Sequence, residues 1–137
     1  MAVVCLKTRR AGSAAIEFAI VGPLLIVILM GMVIYGGWFW LAQSVQSLAT
    51  EGARAAVAGL DPAERQAIAE AFIVAEAHGV YGLANEDLEV TVEADAQAIR
   101  VRVVLDATGH PVMALAALIP SPPQRIERAA VVRMGGF

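Results

Sequence analysis

Hydrophobic and polar positions divide the chain into a long apolar stretch near the N-terminus and a patterned remainder. Residues 18–50 contain no Asp, Glu, Lys or Arg, and residues 18–41 contain no strongly polar side chain. As an α-helix, residues 18–41 would rise about 36 Å, which exceeds the roughly 30 Å of a bilayer's hydrocarbon core. We therefore predict a transmembrane helix over residues 13–41, because a core helix of a soluble protein would be shorter and would carry a polar face.

A cleaved secretory signal and a lipoprotein signal fit the apolar stretch less well than a membrane span. A secretory signal peptide has an apolar region of roughly 7–15 residues that ends at a small-x-small cleavage site. Here the apolar run is longer, and a helix-like sequence follows it. A lipoprotein signal ahead of Cys5 would have only four residues, which cannot hold a signal sequence.

Basic residues predict the orientation of the span. Three of them precede the apolar stretch: Lys7, Arg9 and Arg10. The next basic residue is Arg54. Because Lys and Arg are retained on the cytoplasmic side of a membrane, we expect a cytoplasmic N-terminus and a head, residues 42–137, on the opposite side. The aromatic residues 38–40 then lie at the far interface, where such side chains are enriched.

The helix is expected to continue beyond the membrane, from about residue 14 to residue 58. Apolar or small residues recur there at intervals of three or four and form one stripe: Leu41, Val45, Leu48, Gly52 and Ala56. Gly59 is suited to a position just after a helix.

A second helix is predicted after this glycine. Asp61, Pro62 and Glu64 supply an N-cap, a proline at the first helical position and a capping-box acid. The helix would run to about His78, with Gly79 closing it. Its expected buried stripe is Ile68, Phe72 and Ala75.

The remaining segments predict a small antiparallel sheet. Apolar residues alternate with polar ones at residues 88–93 and again at 99–105. A tight turn over residues 95–98 would place Glu93 opposite Arg100 on the wet face. Residues 126–134 predict a third strand, and residues 111–119 a helical turn packed on the sheet. The predicted class is α+β: a long N-terminal transmembrane helix that continues into a small globular head with a second helix and a roughly three-stranded sheet.

Composition and charge exclude several classes of function. With 58% hydrophobic residues the chain is too apolar for a disordered protein, and its single Cys excludes an internal disulfide and a thiolate metal site. A formal net charge of −3 gives no general attraction to phosphates, so we expect no nucleic-acid partner. His78 and His110 lack metal-ligand spacing, and no nucleophile elbow or phosphate loop occurs. We therefore expect no metal, no cofactor and no enzymatic activity.

The most informative feature is a carboxylate at the cytoplasmic edge of the span. Driving Glu17 to the bilayer centre would cost roughly 2.5–3.5 kcal/mol, so its position requires a reason. A basic leader ends at Gly12, and Glu17 follows five positions later. This order resembles the type IV prepilin family, in which a basic leader ends in Gly and Glu is the fifth residue of the mature chain. The resemblance implies that residues 1–12 form a leader and that a prepilin peptidase cuts between Gly12 and Ser13.

The same resemblance implies roles for the next residues. A new ammonium at Ser13 would lie one helical turn from Glu17, so this carboxylate, with Phe18 beside it, would pair with an N-terminus of its own or a neighbouring chain during assembly. Gly22 and Pro23 predict a kink in the span, because proline lacks an N–H and crowds the preceding turn.

A narrower resemblance covers residues 11–58. Residues 12–25 are GSAAIEFAIVGPLL, and residues 51–56 are EGARAA. They resemble the TadE-like family of tight-adherence (Tad) pilus systems, whose members have a Gly-x-x-x-x-Glu-Phe start, a Leu-Pro-Leu-Leu core, and an aromatic segment leading to Glu-Gly-Ala-Arg.

This resemblance implies a minor pilin or pseudopilin that prepilin peptidase matures and that contributes to the assembly or initiation of a Tad-type pilus. Its partners would be the peptidase, other pilin-like subunits, Tad inner-membrane assembly proteins and membrane lipid. It would cross the bacterial inner membrane once, with a periplasmic or otherwise extracytoplasmic head, and the extracellular pilus would be its second location. The alternative is an uncleaved single-pass membrane protein that assembles or anchors the same secretion system through its head.

Overall fold

The computed structural model describes residues 9–80, 83–95 and 97–135. Its helices and strands, in chain order, are α1 (Arg9–Ala56), α2 (Pro62–Ala77), β1 (Leu88–Ala94), β2 (Ala98–Asp106), α3 (Pro111–Ala114) and β3 (Arg125–Arg133). Short 3-10 turns cover Asn85–Asp87 and Leu115–Leu118. The predicted α+β class is confirmed, with one long N-terminal helix and a three-stranded antiparallel sheet in the head. The residues of the predicted leader before Arg9, including Cys5 and Lys7, lie outside the described residues.

α1 is a single helix of 48 residues, about 72 Å long at 1.5 Å per residue. It begins at Arg9, earlier than the predicted start near residue 14, and ends at Ala56. The backbone then tightens, and the N–H of Gly59 donates to the carbonyl of Ala56 at 3.2 Å. A Cβ on Gly59 would lie 2.7 Å from Cγ of Arg65 and 2.8 Å from its backbone nitrogen. The close approach of α2 therefore requires glycine at this position.

The buried face of α1 follows the predicted stripe. Leu41, Val45 and Ala56 are fully buried, and Leu48 is 5% exposed. Burial begins before the predicted head, at Ile34, which is also fully buried. The stripe packs against α2 and against the central strand β2 and its neighbour β3, so the C-terminal half of α1 is the main support of the head.

α2 begins as its sequence predicts. Asp61 Oδ1 accepts a hydrogen bond from the backbone N–H of Glu64 at 2.8 Å, and Glu64 Oε2 in turn accepts from the N–H of Leu60 at 2.8 Å. The helix ends at Ala77, with His78 as its C-cap.

The predicted buried stripe of α2 is wrong by about one residue. The buried positions are Ala69, Ile73 and Ala77, whereas Ile68 and Phe72 are only partly buried and Ala75 is exposed. Ile73 faces α1 because Gly52 leaves room for its side chain. Phe72, one position earlier, packs against the core but stays partly exposed.

The sheet has the order β1-β2-β3. β1 and β2 pair in the predicted register, with Glu93 opposite Arg100. The outer edge of β1 is covered by α2, because the side-chain amide of Gln66 donates to the carbonyl of Val90 at 3.0 Å and accepts from the N–H of Val92 at 2.8 Å. This bidentate contact satisfies backbone groups that a free strand edge would leave open.

Residues 111–119 form α3 and the following 3-10 turn, which confirms the predicted helical turn but corrects its position. The segment packs chiefly on α1 rather than on the sheet. His110 is the N-cap of α3, and its Nδ1 accepts from the N–H of Val112 at 3.2 Å. The placement depends on a close approach to Gly37 that no local pattern encodes.

Candidate assembly site on the long helix

The first turns of α1 hold Gly12, Ser13 and Glu17 in helical backbone. Ser13 Oγ donates a hydrogen bond to Glu17 Oε1 at 3.2 Å, and both side chains are exposed. The four-residue spacing of an α-helix brings them together. Within the described part of the chain, no other side chain lies within 4 Å of the Cβ position of Gly12. An ammonium group at residue 13 would therefore lie within one turn of the carboxylate, on an open stretch of helix.

Phe18, Gly22 and Pro23 form the next turn. The Phe18 side chain is 77% exposed, and two of its ring carbons lie 3.8 Å from the place where a Cβ on Gly22 would stand. The ring therefore lies over the glycine surface. Pro23 lies inside α1, which continues through it as one helix. The predicted kink at Gly22 and Pro23 stays a prediction.

A nearly continuous apolar surface surrounds α1 between residues 16 and 33. The large apolar side chains there are 46–77% exposed: Ile16, Phe18, Ile20, Val21, Leu24, Leu25, Ile26, Val27, Ile28, Leu29, Met32 and Val33. Among the residues that the structure describes, α1 is the one helix long and apolar enough to cross a membrane. A patch of this size is not left in water, so lipid or other helices must cover it. These observations fit a single-pass membrane protein.

Hydrogen bonds between α1 and the head begin at the aromatic residues that follow. Tyr35 Oη donates to the carbonyl of Pro120 at 3.0 Å, and Trp38 Nε1 donates to the carbonyl of Pro123 at 2.8 Å. Between them, a Cβ on Gly37 would lie 2.8 Å from Cγ2 of Val112. α1 therefore carries a close-packed joint to the head, made of two hydrogen bonds and one glycine.

Sequence patterns do not predict this joint. They favour a membrane interface for Trp38, and small residues such as Gly31, Gly36 and Gly37 in a membrane helix would in general allow another helix to approach closely. Gly37 instead admits Val112 of the same chain, while the Cβ positions of Gly31 and Gly36 have no described atom within 4 Å. Aromatic side chains that can donate and loop carbonyls that can accept are both common in sequences. Their presence therefore does not predict that Tyr35 and Trp38 bind the loop at Pro120 and Pro123.

The Glu-Gly-Ala-Arg stretch of α1 has a structural explanation. A Cβ on Gly52 would lie 2.7 Å from Cδ1 of Ile73, so this glycine sets the distance between α1 and α2. Arg54 and Glu51 form an exposed ion pair at 3.1 Å. Exposed pairs of this kind contribute little to stability, so Gly52 is the residue on which the helix packing depends.

Two carboxylates and one histidine of the head have structural partners. Asp95 Oδ1 accepts from the backbone N–H groups of Gln97 and Ala98, both at 2.7 Å, and these hydrogen bonds lower the pKa of Asp95 below its usual 3.8. Hydrogen bonds from the hydroxyl and N–H of Thr108 likewise lower the pKa of Asp106. Both carboxylates stabilise turns. His78 Nδ1 lies 2.7 Å from the carbonyl of Val74, in the last turn of α2.

The chain was compared with known proteins. A model of the family described as TadE-like protein matches residues 12–54. No curated protein and no solved structure matches the chain. The match begins at Gly12 and ends at Arg54, so it contains the Ser13–Glu17 pair, the exposed apolar surface, the joint residues on α1 and the Gly52 contact. The resemblance to the TadE-like family predicted from the sequence is thereby confirmed over residues 12–54.

Proposed function

We propose that this protein is a pilin-like subunit of a Tad-type pilus, a minor pilin or pseudopilin that contributes to assembly or initiation. Prepilin peptidase would cut between Gly12 and Ser13 on the cytoplasmic side. The head would lie in the periplasm or otherwise outside the cytoplasm, and in the extracellular pilus after assembly. Its role is structural rather than enzymatic, and it needs no cofactor. Other pilin-like subunits, Tad inner-membrane assembly proteins and lipid would be its partners.

The observation that carries this proposal is the combination of an exposed apolar helix with the Ser13–Glu17 pair at its tip. The apolar surface between residues 16 and 33 fits lipid in the membrane and neighbouring helices in a filament equally well. Glu17 lies where it can neutralise an ammonium at Ser13 of its own or another chain, and a carboxylate near a helix N-terminus is also favoured by the helix dipole. Assembly would therefore exchange lipid contacts for helix contacts without leaving this charge unpaired.

The alternative function is that of an uncleaved anchor or assembly protein of the same system. It is favoured by the helical backbone, which runs from Arg9 through the Gly12–Ser13 bond. A peptidase that takes an extended segment must first unwind this turn, whereas an uncleaved protein keeps it. Gly12 lowers the cost of unwinding, since glycine is roughly 0.5–1 kcal/mol less favourable than alanine inside a helix.

Processing of glycine variants separates the two functions. Full-length protein is expressed with an active prepilin peptidase, and the mass of the membrane-extracted chain is measured. Gly12→Ala should retain the leader. Gly31→Ala is the matched control, because neither glycine has a described neighbouring atom within 4 Å of its Cβ position, and this variant should be cut like the wild type. Equal processing of both variants would contradict the assigned cleavage site.

The assembly role of Glu17 has its own test. Glu17→Ala should insert into the membrane normally but should recover less of the other pilin-like subunits when purified from detergent extracts. Glu51→Ala is the control, because it removes an exposed carboxylate from the same helix near its other end. Undiminished recovery of partners with Glu17→Ala would argue for the anchor function.

A further inference from the structure

We propose that residues 111–119 of the head lie in the lipid leaflet on the head's side of the membrane, beside the C-terminal half of the span. This inference rests on the proposed membrane location of α1. The segment comprises α3 (Pro111–Ala114), the 3-10 turn Leu115–Leu118 and Ile119. Its proposed partner is the acyl-chain boundary of the bilayer.

The depth of the segment along α1 is the first argument. Leu115 lines one surface recess together with Leu29, Met30 and Val33. If the hydrocarbon region begins at Phe18, directly after Glu17, about 30 Å of helix extends to Gly37. Leu115 then lies beside the part of α1 that is roughly 6–12 Å inside this boundary. An interfacial apolar element is typically buried by about 5–10 Å, so the depth is appropriate for one.

The length of free helix is the second argument. Only residues 18–28 lie between Glu17 and the recess, and they span about 17 Å, roughly half of the hydrocarbon core. A head held entirely in water would therefore have to draw Glu17 into the bilayer. A carboxylate is strongly disfavoured there. Immersing the 111–119 segment avoids that cost.

The chemistry of the segment suits lipid. There is no Asp, Glu, Lys or Arg from residue 107 to residue 124, and Leu115 is 48% exposed. Four of the six prolines of the chain lie in this stretch and remove backbone N–H donors: Pro111, Pro120, Pro122 and Pro123. Fewer donors then need a partner away from water.

Hydrogen bonds from α1 satisfy two backbone carbonyls of the loop that follows the segment. The carbonyls of Pro120 and Pro123 accept from Tyr35 Oη and Trp38 Nε1, at 3.0 and 2.8 Å. In a hydrocarbon environment an unsatisfied backbone polar group is strongly unfavourable. Because these two carbonyls are satisfied, the loop after the segment can lie close to lipid. This role accounts for the hydrogen bonds from Tyr35 and Trp38 to the chain's own head.

Depth-dependent quenching tests the inference. Full-length Cys5→Ser protein is reconstituted into vesicles of phosphatidylethanolamine and phosphatidylglycerol, with an environment-sensitive fluorophore on a single introduced cysteine. Leu115→Cys and, as a second site in the segment, Ala114→Cys should be quenched several-fold more by lipids that carry a nitroxide near the headgroup than by aqueous iodide. Leu60→Cys is the matched control, because Leu60 is an 89% exposed leucine of the same head beyond the end of α1. It should show the opposite preference.

A label at Ile28→Cys separates this inference from the proposed membrane location. Lipid quenching at residue 28 with iodide quenching at residues 114 and 115 would overturn the inference and leave the membrane span intact. Iodide quenching at residue 28 would overturn the membrane span itself. Labels at 114 and 115 that are shielded from both quenchers would show a protein partner, such as a second copy, and would also overturn the lipid assignment.

Discussion

The two halves of α1 are both rich in apolar residues, yet they have opposite surroundings. Between residues 16 and 33 the large apolar side chains are exposed all round the helix, whereas from Ile34 to Ala56 a single stripe is buried under the head. The periodicity of apolar residues accounts for the difference, because they recur at helical spacing among polar residues in the second half, whereas the first half has no such pattern. The comparison teaches that the second half folds the chain and that the first half depends on lipid or other subunits.

Leu41→Ala is expected to cause the largest loss of stability and to show most clearly how the two halves of α1 differ. Leu41 is fully buried, so the truncation should lower the free energy of unfolding of the head by about 2–5 kcal/mol. The measurement is denaturant unfolding in detergent, followed by Trp fluorescence. Leu25→Ala, in the exposed half, is the control and should change this free energy by less than about 0.5 kcal/mol. Equal losses would mean that the exposed half also folds against the head.

Gly52→Val should have the next largest effect. Its new Cβ would stand 2.7 Å from Cδ1 of Ile73, and overpacking of this kind costs about 1–3 kcal/mol. Gly31→Val, with no described atom within 4 Å, controls for the β-branched residue in the helix. The double variant Gly52→Val with Ile73→Ala should recover part of the loss relative to the sum of the single variants. Simple additivity of the two losses would show that Gly52 does not set the helix contact.

Tyr35→Phe tests the boundary between the halves. The substitution removes the hydrogen bond to the Pro120 carbonyl without changing the ring, which should cost about 0.5–1.5 kcal/mol. Phe39→Leu alters a neighbouring aromatic residue that is 61% exposed and should leave unfolding nearly unchanged. Amide hydrogen exchange at Ile119, Ser121 and Gln124, the residues of this loop that have an amide hydrogen, provides the second readout, and it should accelerate only in Tyr35→Phe. Unaltered exchange at these residues would show that Tyr35 does not hold the loop against α1.

The smallest expected effect is a pH dependence confined to the head. The folded-state pKa values of Asp95 and Asp106 lie below the ordinary 3.8. Their contribution to stability is therefore fully present above the unfolded pKa and is lost as pH falls through the folded values. Unfolding free energy should decrease below about pH 4. Asp95→Asn should flatten this decrease in part, and an unchanged slope would exclude Asp95 as one of its sources.

Local patterns predict the parts of the fold that depend on local contacts. The buried stripe of α1 and the Asp61 cap follow from helical period and capping chemistry. The Glu93–Arg100 register follows from strand alternation and one short turn. Gly12, Ser13 and Glu17 are identifiable because their order along the chain carries the signal, and the helix then brings Ser13 and Glu17 together.

Contacts between distant parts of the chain cannot be predicted in this way. The predicted stripe on α2 is misplaced because the approach of α1 at Gly52 selects Ile73, not the larger Phe72, as the buried residue. The sequence pattern favours the sheet as the support of residues 111–119, whereas the space over Gly37 holds them on α1. In both cases a glycine on one element meets a side chain of another, and sequence spacing contains no information about that meeting.

The most direct measurement of the central claim is the N-terminal residue of the wild-type chain extracted from membranes of cells with an active prepilin peptidase. Intact mass and N-terminal sequencing give the same answer independently, and processing of another prepilin in the same cells verifies the peptidase. The account predicts a chain that begins at Ser13, one helical turn before Glu17. A chain that begins at Met1 or Ala2 would contradict it.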